Sequence, residues 1–135
     1  MIDTAGLEVL SRGESLKLLT SVPVGRIAFT DRALPAIQPV NFVVDGETIV
    51  FRTGAGSKLA AATREAIVAF QADAFDSEAQ TGWSVMGVGR AYQVTDDDEI
   101  VRLCELPIRP WTPAARDHFV RIELATITGR RIPPI

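Results

Sequence analysis

Cysteine and histidine are almost missing from this chain of 135 residues, which holds one of each, Cys104 and His118. A single cysteine excludes an internal disulfide and any cysteine-built zinc site. A single histidine excludes the two-histidine metal motifs. There is no basic excess either: 14 Lys and Arg stand against 17 Asp and Glu, for a net charge of −3. A stand-alone nucleic-acid binder needs a basic face, so that class falls well behind. Long hydrophobic runs are absent, the longest unbroken one being Ala66 to Phe70, far short of a membrane span. Met1 to Leu10 carries Asp3 and Glu8 and no basic start, so it does not read as a signal peptide, and the expected setting is the cytoplasm.

What remains is an ordinary globular composition, with 47% hydrophobic and 23% charged residues. The length fits one domain over residues 1–135, large enough to bury a core without disulfides or a structural metal. Ser11 and Glu14 form an S-x-x-E capping box ahead of Leu16, Leu18 and Leu19, which predicts a short helix ended by Thr20-Ser21-Val22-Pro23. Strand-like segments follow at Gly25 to Thr30, Ile37 to Val44 and Thr48 to Thr53. The last two flank Asp45-Gly46-Glu47, a hairpin signal because glycine accepts the positive φ of a tight turn. Ser57 is placed to cap a helix through Leu59 to Ala62.

Ala66 to Ala74 reads as a buried strand and Ser84 to Thr95 as a long one. In the latter, Gly87 and Gly89 share a face with Val85 and mark a bend or a close approach by another backbone. Thr95 or Asp96 then caps a helix whose apolar face carries Ile100, Leu103 and Cys104, with Cys104 expected as inert core. Leu106 to Pro113 is a proline-rich loop around Trp111. Asp117 to Thr128 is a final strand with His118, Val120, Ile122 and Leu124 on one side. About six strands with two or three short helices predict a mainly β fold, a closed or nearly closed antiparallel barrel.

The segment richest in chemistry is Phe51-Arg52-Thr53-Gly54-Ala55-Gly56-Ser57-Lys58. A strand delivers Arg52 and Thr53 to a glycine-containing turn, and Ser57-Lys58 opens a helix. A guanidinium can fork onto two phosphate oxygens, an ammonium adds a point charge, and hydroxyls add neutral donors. Neither the P-loop nor the dinucleotide fingerprint is present. Taken alone, the segment is either a phosphate seat or a polar strand end followed by a capped helix.

In order and spacing, this segment, Pro23 to Phe29, Pro39-Val40-Asn41-Phe42, Gly82-Trp83-Ser84-Val85 and Gly89-Arg90-Ala91 resemble the pyridoxamine-phosphate-oxidase-like family of flavin-binding split barrels, in its small actinobacterial form. The resemblance implies a homodimer of six-stranded antiparallel split β-barrels with FMN held at the subunit interface. It assigns Arg52, Thr53, Ser57 and Lys58 to the phosphate, and the backbone of Pro39, Val40 and Asn41 to the isoalloxazine ring. Trp83 and Ser84 reach the cofactor region, and Trp111 walls a substrate pocket. The C-terminal substrate-phosphate motif of true pyridoxamine-phosphate oxidases has no match here, so the vitamin substrate is not implied. No protein nucleophile or general base stands out, as suits an enzyme whose cofactor performs the electron transfer. The expectation is an FMN-dependent oxidoreductase acting on a small, flat, electron-poor acceptor, with no nucleic-acid or membrane partner. A deazaflavin-dependent reductase and a non-enzymatic flavin or haem carrier or sensor are the alternatives. Core packing remains the competing reading of Trp83, as does a buried or interface role for His118.

Overall fold

The computed structural model describes residues 1–54, 57–108 and 118–133, with the backbone alone at residue 58. In chain order the elements are β1 (Glu8–Leu10), α1 (Arg12–Leu19), β2 (Val24–Asp31), β3 (Leu34–Asp45), β4 (Thr48–Thr53), α2 (Lys58–Ala62), β5 (Ala66–Asp76), β6 (Thr81–Gln93), α3 (Asp97–Cys104) and β7 (His118–Arg131). The sheet runs β1-β7-β4-β3-β2-β5-β6, and β6 pairs back onto β7, so six strands close into an antiparallel ring. β1, which carries no strand signal of its own, is a seventh strand laid beside the end of β7.

The ring closes because each strand has one apolar side. Ile27, Phe42, Phe51, Phe70 and Ile122 point inward and are buried. Phe42 and Phe70 meet edge to face with their centroids 4.8 Å apart. Gly25 keeps this packing open, since a Cβ there would stand 2.2 Å from the Phe70 ring. The expected close approach at the β6 glycines is present. Pairing shifts between Val88↔Thr126 and Gly89↔Leu124, which leaves Ala125 as a bulge. A Cβ on Gly89 would lie 1.8 Å from the Glu123 carbonyl oxygen.

Helices plug and cover the ring. The capping box at Ser11 and Glu14 is formed in both directions, and Leu19 of α1 enters the core. Asp96 caps α3, whose Leu103 packs with Val50, Phe119 and Ile108 in a second cluster outside the ring. Cys104 departs from its expected place in the core and is exposed. Leu103 takes the buried position, and the next residue is rotated by about 100° around the helix into solvent. No helix among the described residues is long and apolar enough to cross a membrane.

Candidate functional site

β4 and β3 pair only over Phe42↔Phe51 to Asp45↔Thr48. Beyond Phe51, β4 continues through Arg52 and Thr53 along β7 and then turns away into α2. Toward that same end of the sheet, β3 extends for eight more residues before Phe42, paired with β2 only. The edge of residues 34–41 that faces away from β2 has no strand beside it among the described residues, and it opens next to the end of β4. Backbone N–H and C=O groups on such an edge need partners.

That register brings together most of the residues singled out in the sequence. Val40 is buried in the core, so only its backbone faces the open edge, whereas Pro39 is exposed and Asn41 half-buried on the outer side. Arg52 follows Phe51 on the outer side, next to Asn41. Its guanidinium lies 4.9 Å over the Phe119 ring and donates from Nη1 to the Ile108 carbonyl at 3.3 Å. These contacts hold a long, rotamer-rich side chain in place. Thr53 points inward and is buried, with its Oγ1 3.0 Å from Ser57 Oγ. Ser57 Oγ in turn accepts from the Ala60 N–H at 3.0 Å and caps α2, which begins at Lys58. The result is two linked hydroxyls and a fixed guanidinium beside an open strand edge.

His118 is the strand partner of Thr53. Partial burial, with the nearby Arg64 charge adding to it, holds its imidazole below the ordinary histidine range. It is therefore uncharged at neutral pH and faces inward beside the hydroxyl pair.

Trp83 and Ser84 stand elsewhere in the chain. Arg52 pairs with Phe119 at the start of β7, while Trp83 pairs with Arg131 at its end. Trp83 is half-buried and packs against the core. Ser84 lies on the outer face, where its Oγ accepts from Gln71 Nε2 at 3.2 Å. Gln71 also donates to Asp73 at 2.7 Å and accepts from Arg26 at 3.3 Å. The alternation of β5 placed Gln71 and Asp73 on that face, but only the β2–β5–β6 register shows that they meet Arg26 and Ser84. Trp111 lies outside the described residues. No group of three or more metal-ligating side chains occurs among the described residues.

The outer face of β2, β3, β5 and β6 is also unusually apolar. One row across it is Ile37, Ala28, Ala69 and Val88, with Pro39, Met86 and Ile67 alongside. Ile37 is 73% exposed and Ile67 64%.

Comparison with known proteins gives a consistent result. A family model described as pyridoxamine 5'-phosphate oxidase matches residues 11–131. An uncharacterized protein of Mycobacterium tuberculosis is 41% identical over 128 residues, covering 91% of this chain and 84% of that protein. Among solved structures, the FAD-binding protein of Mycobacterium smegmatis is 40% identical with a TM-score of 0.81, covering 92% of this chain and 97% of that one. A conserved Corynebacterium diphtheriae protein of unknown function is 34% identical with a TM-score of 0.76, covering 92% and 96% respectively.

Proposed function

The chain belongs to the pyridoxamine 5'-phosphate oxidase family, and from that membership we propose that it is a flavin-nucleotide oxidoreductase whose cofactor lies along the open edge of β3. The observation that carries this reading is the juxtaposition of that edge with Arg52, Thr53 and Ser57. The donor set fits the group. A flavin nucleotide needs a cationic and hydroxyl-bearing seat for its phosphate and unpaired main-chain groups for the polar rim of its ring. Arg52, Thr53 and Ser57, with Lys58 at the head of α2, supply the first. The backbone of Pro39, Val40 and Asn41 supplies the second.

When bound, the isoalloxazine provides reversible electron or hydride transfer to a small acceptor. The chain's own residues bind and orient. Phe119 and the Ile108 carbonyl hold the Arg52 fork in position, and the neutral His118 adds no competing charge beside Thr53. FMN is the smallest nucleotide that uses all of these donors. FAD is the second reading, favoured by the likeness to the FAD-binding Mycobacterium smegmatis protein. A deazaflavin ranks below both, because its long anionic tail wants a broader basic groove than Arg52, Lys58 and Arg64 provide.

The site is built from two subunits in this reading. The apolar outer face pairs with its copy about a two-fold axis running along the strands, which exchanges the two edges of the face. Ser84 of the partner subunit then approaches the β3 edge of the first.

The test is pigment and phosphate. Freshly purified protein is expected to release a flavin nucleotide on denaturation, and chromatography distinguishes FMN from FAD. Arg52→Ala should weaken binding of that nucleotide by about tenfold or more, since a charge-assisted hydrogen bond is worth about 1.5–3 kcal/mol. Riboflavin, which lacks the phosphate, should bind the variant and the wild type alike. An equal loss for both ligands would remove Arg52 from the phosphate.

A further inference from the structure

Gln71 stands at the centre of a polar chain on the outer face of the sheet, one level along from its apolar row. The side-chain amide is used completely. Oε1 accepts from Arg26 Nη1 at 3.3 Å, while Nε2 donates to Asp73 Oδ2 at 2.7 Å and to Ser84 Oγ at 3.2 Å. A guanidinium only donates and a carboxylate only accepts, so the amide can stand only one way round.

Ser84 is thereby held as a donor. A lone pair of its Oγ receives the Gln71 N–H, and no described residue accepts its proton. Its strand partners are Asp73 on β5 and Arg130 on β7. Arg130 only donates, and it is turned to Asp3 at 2.8 Å and to the Gly129 carbonyl at 2.9 Å. Asp73 is an acceptor, but Gln71 occupies its Oδ2, and its Oδ1 lies toward Arg26, 3.7 Å away. The hydroxyl proton is left to point out of the face.

Arg26 pairs with Gln71, so Val24 and its partner Asn41 lie level with Asp73 and its partner Ser84. A two-fold axis along the strands keeps that level and exchanges β3 with β6. Ser84 then arrives over Asn41 of the partner subunit, beside the open β3 edge. We propose that Gln71 is a positioning residue, which keeps the Ser84 hydroxyl free to donate across the subunit boundary to an acceptor atom of the flavin nucleotide. This rests on the flavin and two-subunit reading above. Without Gln71, the Asp73 carboxylate faces Ser84 with an open lone pair and takes its proton, so the donor is lost.

The experiment is titration of the flavin-stripped full chain with FMN, FAD and riboflavin, read by fluorescence. Ser84→Ala should weaken the bound nucleotide about fivefold, as befits one hydrogen bond between neutral groups. Gln71→Met keeps the length of the side chain but cannot donate, and it should weaken binding to the same extent. Adding Asp73→Ala to Gln71→Met should restore affinity to within about twofold of the wild type. In a Ser84→Ala background, Gln71→Met should cause no further loss. A loss shared by riboflavin places the acceptor on the ring or the ribityl chain, and a loss confined to the nucleotides places it on phosphate. Unchanged affinity in Ser84→Ala, additive losses in the double variant, or no rescue by Asp73→Ala overturns the proposal. A wild-type chain that binds flavin as a monomer also overturns it and leaves the flavin reading standing. A wild-type chain that binds none of the three overturns the flavin reading, and the proposal with it.

Discussion

Arg32 and Ala33 show how a single turn can defeat sequence reading. They form the two-residue loop between β2 and β3, with φ values of 52° and 67°. Such turns favour Asn-Gly, because positive φ costs other residues about 1–2 kcal/mol each. Nothing in Arg-Ala announces the turn, so the sequence pattern starts this strand at Ile37, whereas β3 begins at Leu34. By contrast Gly46, with a φ of 63°, marks the β3–β4 turn openly. Replacing Arg32-Ala33 by Asn-Gly is expected to relieve the strain and raise stability by about 1 kcal/mol or more, read as a higher denaturant midpoint at unchanged slope. A lower midpoint would mean that packing of the two side chains outweighs the backbone cost.

At the scale of elements, α3 is fastened to the barrel by charge as well as by Leu103. Asp45, at the end of β3, accepts from Arg102 of α3 at 2.6 Å and from Arg121 of β7 at 2.8 Å, and Glu99 accepts from both arginines. The hydrogen bond from Arg102, with that from Arg121, holds the Asp45 carboxyl down to about 2 against the opposing effect of burial. Since the folded value lies below the unfolded one, this stabilisation is complete above about pH 4 and is lost as pH falls toward 2. His118 works in the same direction at a higher pH. Its lowered value makes the folded chain resist protonation, so stability declines as pH drops below the ordinary histidine range near 6.5. Asp45→Asn should cost about 1–2 kcal/mol near neutral pH after allowance for solvent screening. It should also flatten the acid limb of a melting curve taken against pH, and hydrogen exchange should quicken in α3. An unaltered acid limb would assign the acid sensitivity to other carboxylates. The caps of α1 and α3 were legible because capping is local, four residues deciding each. The ion network was not, because residues 45, 99, 102 and 121 meet only once the sheet has a register. The same holds for the candidate site. The phosphate-type donors of β4 and α2 are contiguous and readable, whereas the open β3 edge appears only when it is known where β4 leaves it.

For the whole molecule, the outward-facing apolar row of Ile37, Ala28, Ala69 and Val88, exposed at Ile37 and half-buried at the rest, sets the expectation of a homodimer. Contiguous apolar surface of this kind is normally covered. Ile37→Glu should turn a dimer at micromolar concentration into a monomer by light scattering, and flavin affinity should fall with it if the site spans two subunits. A wild-type monomer, or a monomeric variant with full flavin affinity, would separate the cofactor from the interface. The antiparallel ring was legible from the strand count and the loop signals, and its closure depends on one strand. β7 carries β4 and β1 on one edge and β6 on the other. β4 is complete at residue 53, but nothing can pair with its outer edge until residues 118–123 exist. At ordinary synthesis rates of about 5–20 residues per second, that leaves an apolar strand edge unsatisfied on the ribosome for several seconds. During that interval a chaperone, or the nascent copy on the next ribosome, competes with the chain's own last strand for the same hydrogen bonds.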